Sequence, residues 1–198
     1  MNKKMMKQIV MLLIVAMVFV GCAKKPEMEL NSAQAALTAA MEEGANKYAK
    51  DEAKGLNDEL QAALDEMKVQ EGKIFKNYDK TKEMLAKVNG GAEALKAKIP
   101  ALKQAAKDAA QAAADSAKAS IEEAKALLAK APRGKGSMAD IEMMKADVTG
   151  LEASMAEVQT LIDTEEYFVA ADKANVIKTS AVGVIDAVNQ ALAKKGKK

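Results

Sequence analysis

The chain has 198 residues, 30 of them basic and 28 acidic, with no His, no Trp and one Cys. The absence of His removes the commonest general base near neutral pH and the commonest metal ligand, and a lone Cys excludes an internal disulfide, a thiolate cluster or a CxxC redox pair. Aromatic residues make up only 3% of the chain, too few for a base-stacking platform, so no nucleic-acid partner is expected. There are 41 Ala. Together with Lys, Glu, Leu and Met, that is the composition of long helices.

Residues 1–8, MNKKMMKQ, carry three Lys and no acid, and residues 9–20, IVMLLIVAMVFV, are uncharged and apolar. Gly21 and Cys22 follow. A positive start, an apolar core and a small residue before the cut are the layout of a secretory signal. Twelve residues span ~18 Å as a helix, short of the ~30 Å of a bilayer core, so the segment is read as a signal and not as a permanent span. Removing residues 1–21 takes away three Lys and leaves 27 basic and 28 acidic groups, net −1. The basic balance of the whole chain therefore belongs to the signal.

Phe19-Val20-Gly21-Cys22 resembles the lipobox of bacterial lipoproteins, although Phe19 stands where Leu is usual. The resemblance implies a diacylglycerol thioether on Cys22, cleavage after Gly21 and acylation of the new N-terminus. It also implies attachment to the outer membrane facing the periplasm, ahead of the inner membrane, because Ala23 and not Asp follows Cys22. Several acyl chains at ~0.8 kcal/mol per buried methylene hold a protein on a membrane without a spanning segment.

Residues 22–29 read as a lipidated tether, with Pro26 able to open the first helix. Leu30, Ala33, Leu37 and Ala40 or Met41 recur at helical spacing up to a C-cap at Gly44. A second helix covers about Lys50 to Gln70, with Leu56, Leu60, Leu64 and Met67 on one face. A third uses Ile74, Tyr78, Leu85 and Val88, and Asn89-Gly90-Gly91 is expected to interrupt it. Pro100 marks a kink or restart. The stretch 101–131 has neither Pro nor Gly and reads as helix, with Leu102, Ala106, Ala109, Ala113, Ala117, Ala124 and Leu128 on its narrow face.

Residues 132–137, PRGKGS, form the clearest break. Their likeness to a phosphate loop fails for want of an earlier Gly and a preceding strand, and Ser137 reads as an N-cap. Ile141, Met144, Val148, Leu151, Met155, Val158 and Ile162 then alternate steps of three and four, the a/d spacing of a coiled-coil seam. Leu151, mid-seam, is expected to be buried. Asp163-Thr164 are expected to cap the last helix, where Ala170, Ala174, Ile177, Ala181, Val184 and Val188 keep the rhythm.

A weak repeat at an offset of 93 relates Phe75, Asp79 and Lys80 to Phe168, Asp172 and Lys173, and Ala53 and Ala63 to Ala146 and Ala156. The fold class expected is all-α: an elongated antiparallel helical bundle over residues 30–193, with duplicated three-helix units near 30–100 and 101–193 as an option. Residues 194–198 form a Lys-rich tail. A helix of 26 to 31 residues would be ~39 to 46 Å long. The opening of the mature domain, PEMELNSAQAAL followed by EEGANKYAKDEAKGLNDELQAALDEM, resembles an uncharacterised family of Ala-rich helical envelope lipoproteins. That resemblance implies the same location and fold and brings no catalytic residues.

The acidic pairs Glu42-Glu43, Asp51-Glu52, Glu122-Glu123 and Glu165-Glu166 fit helix dipoles and i,i+4 pairing better than a two-carboxylate active site. Met144 and Met155 read as packing, and Met143, one position off the seam, as an exposed contact. Lys194, Lys195, Lys197 and Lys198 form a charge run that could meet an anionic surface. Lys198 has a weak resemblance to the terminal Lys of Braun-type lipoproteins, which is joined to peptidoglycan, but the nearby Tyr or Arg of that family is missing. No enzyme, cofactor or metal is expected. The reading is a membrane-anchored structural or protein-interaction lipoprotein, a spacer or scaffold with an envelope protein, peptidoglycan or a second copy as partner. The alternative is a periplasmic chaperone or carrier of a lipid or other hydrophobic ligand, using a groove between helices.

Overall fold

The computed structural model describes residues 24–131 and 138–195, with Lys194 and Lys195 as backbone alone. Among these residues the protein is all-α. Its helices are α1 Glu27–Glu43, α2 Ala45–Tyr48, α3 Lys50–Glu71, α4 Asp79–Lys130, α5 Met138–Asp163 and α6 Tyr167–Lys195. The chain divides into two compact units, the first ending at Leu102 and the second beginning at Lys103, so α4 serves both. Each unit is a small helical bundle. The break expected at 132–137, with Ser137 as N-cap, lies outside the described residues.

In the first unit α1 starts at Glu27, so the tether is shorter than the eight residues expected. Pro26 stands at the N-cap and is buried, its carbonyl accepting the Leu30 N–H at 3.0 Å. Glu27 and Glu29 in the first turn complement the helix dipole. Gly44 ends α1 at φ 112°, a conformation that L side chains avoid, and its N–H donates to the Met41 carbonyl at 3.0 Å. The buried face of α1, namely Ala33, Ala36, Leu37 and Ala40, meets two layers. One contains Leu60, Ala63, Leu85, Val88 and Ala92; the other contains Ala45, Ala53, Leu95 and Ile99.

Ion pairs mark the register of α3 against α4. Glu66, Glu59 and Glu52 stand seven residues apart on α3 and meet Lys80 at 3.0 Å, Lys87 at 2.6 Å and Lys98 at 3.1 Å on α4. The order runs opposite on the two helices, so they are antiparallel. Ser32 Oγ on α1 donates to Asn89 Oδ1 on α4 at 3.1 Å.

The interruption expected at Asn89-Gly90-Gly91 does not occur: α4 runs unbroken for 52 residues through both glycines and Pro100. The glycines cost helix propensity, but a Cβ on Gly91 would lie 2.6 Å from Leu56 Cδ2, so the missing side chain is what lets α3 approach. Ile74, expected on the core face, lies ahead of α4 and is 89% exposed. Tyr78 holds the first core position instead.

In the second unit the buried face of α4 is Ala106, Ala110, Ala114, Ala117, Ile121, Ala124 and Leu128, and Ala131 just past its end is buried too. Ala109 is exposed and Ala113 half-buried, so that part of the expected face was one position out of register. Along α5, Ile141, Val148, Val158 and Ile162 are buried, while Met144, Leu151 and Met155 are half-buried. Leu151 is therefore less enclosed than its mid-seam position suggested. On α6, Ala170, Ala174, Ile177, Ala181, Val184 and Val188 are all buried. Asp163 and Thr164 do not cap α6; they end α5. The Glu165 N–H donates to the Ile162 carbonyl at 3.1 Å and the Glu166 N–H to the Leu161 carbonyl at 2.7 Å. That is a Schellman arrangement with Glu165 at φ 62° where Gly is usual. Ion pairs join Lys125 to Glu152 at 2.8 Å, Lys103 to Glu165 at 2.6 Å, and Lys173 to Glu157.

The two units bury matching positions, but not at the offset of 93. Ala53 and Ala63 are buried, whereas Ala146 and Ala156 are exposed. The second helices align 95 residues apart: Ala53 with Val148, Leu56 with Leu151, Leu60 with Met155, Ala63 with Val158 and Met67 with Ile162. The third helices align 89 apart. There Tyr78, Thr81, Leu85, Val88, Ala92, Leu95 and Ile99 answer to Tyr167, Ala170, Ala174, Ile177, Ala181, Val184 and Val188. The path from Met67 to Tyr78 is six residues longer than that from Ile162 to Tyr167, which is why one offset cannot serve both.

Candidate functional site: the end of the first unit where the chain enters

Cys22 and Gly21 lie outside the described residues, as do Lys197, Lys198 and the side chains of Lys194 and Lys195. What the structure describes is the place where the chain joins the fold. Lys25 Nζ meets Glu71 Oε1 at 2.8 Å, tying the entry point to the last turn of α3. The hydrogen bond to Glu71 pushes the Lys25 amine above its ordinary range, and the same bond holds the Glu71 carboxyl below its own.

Beside this pair runs the α3–α4 connection, residues 72–78. Gln70, buried, organises its base. Its Nε2 donates to Glu66 Oε1 at 2.8 Å, and its Oε1 accepts the Asn77 N–H at 3.3 Å. Asn77 Oδ1 in turn accepts the Asp79 N–H at 2.8 Å, which caps the start of α4. Glu66, bonded by Gln70 and Lys80, has its carboxyl held below the usual range. With the base pinned and Tyr78 in the core, the tip points outward, leaving Ile74 and Phe75 89% and 74% exposed. Val69, one turn back on α3, and Met28, in the first turn of α1, are also exposed. Sequence reasoning missed this cluster because Ile74 was read as a core position of the third helix. The signal was present in Lys73-Ile74-Phe75-Lys76, where two apolar residues stand between cations just past Gly72.

Elsewhere the described surface offers little chemistry. The carboxylates of the four acidic pairs are exposed, and Glu52, Glu122 and Glu165 are in ion pairs with lysines. The Glu66 and Glu71 carboxyls are held down, whereas a general acid needs a raised value. No group of three acidic or thiol side chains suited to a metal occurs among the described residues. Among those residues, no helix is long and apolar enough to cross a membrane. A shallow, solvent-open depression between α1 and α4 is lined by Met28, Glu29, Ser32, Leu85, Ala86 and Asn89. Met143 is exposed and lies off the α5 seam. Comparison with protein-family models, with curated proteins and with solved structures finds no match.

Proposed function

We propose that the chain is a lipid-anchored protein of the bacterial envelope, with a structural or protein-interaction role and no enzymatic one. Cys22 carries the lipid, and the helical units extend into the periplasm from the outer membrane as a spacer or scaffold. The observation that carries this reading is the single Cys of the chain standing directly after Gly21 and the twelve-residue apolar run. The tied entry at Lys25 and Pro26 supports it, because only a few residues separate Cys22 from the folded body. Cores filled largely by Ala, Leu, Ile and Val favour a spacer over a carrier.

In cells fed radiolabelled palmitate, the parent protein takes up label and Cys22→Ser takes up none; equal labelling of the two would contradict the reading. The second reading, a chaperone or carrier of hydrophobic ligands, has a seat in the α1–α4 depression. It would be favoured if the purified protein carried lipid displaced by Ser32→Trp.

A further inference from the structure

The connection between the second and third helices differs in kind between the two units. From Ile162 to Tyr167 the second unit turns in five positions, and from Met67 to Tyr78 the first unit takes eleven. Part of the extra length carries α3 on to Glu71, and the rest, residues 72–77, is exposed and fills no core. They display Ile74 and Phe75 side by side on a base held by Gln70 and Asn77. Ile74 and Phe75, more exposed than the Phe168 and Val169 pair of the second unit, offer an apolar contact to a membrane or a protein.

We propose that this loop is a second membrane contact: Ile74 and Phe75 enter the headgroup–acyl boundary of a phospholipid bilayer, and Lys73 and Lys76 meet its anionic headgroups. The proposal rests on the lipoprotein reading for the identity of the surface. Lys25 is tied to Glu71, the residue before Gly72, and Cys22 lies three residues earlier in sequence. Three residues of chain reach at most ~11 Å, so a lipid on Cys22 would hold a bilayer next to this loop.

The charges agree with that partner. Residues 72–77, GKIFKN, hold two Lys and no acid. Glu71 pairs with Lys25 and Glu66 with Lys80, and the charges of Lys76 and Lys73 act on these two carboxylates without an ion pair. Glu27, Glu29 and Asp79 lie in the first turns of α1 and α4. Lys73 and Lys76 make no ion pair among the described residues and stand on either side of the apolar pair. Apolar side chains at the interface ringed by Lys that reach headgroups are the arrangement of peripheral membrane contacts. A protein partner would use the same apolar pair, but it would leave the nearness to Cys22 without a role.

The chain has no Trp, so Phe75→Trp in the full-length lipidated protein carries its only indole. Reconstituted into vesicles of phosphatidylethanolamine and phosphatidylglycerol, this variant should emit to the blue of a water-exposed indole. Acyl chains brominated near the headgroup should quench it more than chains brominated at their ends. Ala97→Trp, exposed on α4 beside the Glu52–Lys98 pair at the other end of the first unit, should stay unquenched. Adding Lys73→Gln and Lys76→Gln to Phe75→Trp should shift the loop's bound-to-free ratio by about fivefold per Lys.

An unquenched Phe75→Trp indole in vesicles that hold palmitate-labelled protein would overturn the loop proposal and leave the lipoprotein reading standing. If no palmitate is incorporated, that reading fails by itself, and quenching of the same protein added to vesicles from solution still decides the loop. A blue shift without lipid quenching would mean that a protein surface covers Phe75. That result, or equal quenching of Ala97→Trp, also overturns the proposal.

Discussion

Thr81 is wholly enclosed in the first unit, and its Oγ1 has no hydrogen-bond partner. At the matching place in the second unit stands Ala170, equally buried. A buried hydroxyl left unpaired costs about 1–3 kcal/mol, whereas an apolar group of the same shape fills the space without that penalty. Thr81→Val should therefore raise stability by about 1 kcal/mol, read as a higher urea midpoint; a lower midpoint would mean that the hydroxyl is satisfied. Glu165 carries a different local cost, since its φ of 62° disfavours any residue with a Cβ. Glu165→Gly and Glu165→Ala both lose the contact with Lys103 and differ at the backbone. The Gly variant should be the more stable by about 1 kcal/mol in the same measurement; equal midpoints would show the left-handed conformation to be unimportant there.

At the scale of elements, the glycine pair of α4 separates propensity from packing. Gly90 faces open space, and nothing would touch a Cβ there. Gly90→Ala should raise the urea midpoint by the equivalent of about 0.5–1 kcal/mol. At Gly91 the same propensity gain meets Leu56, which must move aside, so Gly91→Ala should give no gain. Equal gains at both would mean that α3 does not approach α4 as described. Sequence reading took the pair for a break because it saw the helix cost of two glycines and could not see Leu56 across the interface. For the same reason Ile74 looked like a core residue: its spacing to Tyr78 is helical, and only the Gln70 and Asn77 hydrogen bonds reveal a loop.

Those bonds also predict a pH response at this end. Glu66 and Glu71 are held below the ordinary carboxylate range. Their stabilising contribution is thus present above that range and fades as pH falls through the depressed values. Lys25 is raised, so its contribution is present below the ordinary lysine value and is lost only as pH rises beyond it. Amide hydrogen exchange in residues 72–78 should therefore quicken, relative to the α4 core, below about pH 4. Unchanged relative protection between pH 7 and pH 3 would contradict the role given to these pairs.

For the whole molecule, the all-helical class and most buried faces were legible. The α6 series from Ala170 to Val188 is buried at every position expected, because a sustained three-four rhythm has one helical solution. The correspondence of the units was harder to read. It depends on burial more than on identity, and the longer path from Met67 to Tyr78 shifts it from 95 to 89 between neighbouring helices. Ala-rich helices also match one another at many offsets, and so 93 stood out without marking the core. The proposed function rests in the sequence on Gly21-Cys22 after the apolar run alone; the exposed Ile74-Phe75 pair needed the fold.

The central claim is a lipid on Cys22, and the intact mass of the mature protein extracted from membranes tests it most directly. The account predicts a chain beginning at Cys22, heavier than residues 22–198 by a diacylglycerol and an amide-linked acyl group, with Cys22→Ser lacking that mass. A mature chain that begins elsewhere, or one that begins at an unmodified Cys22, would contradict it.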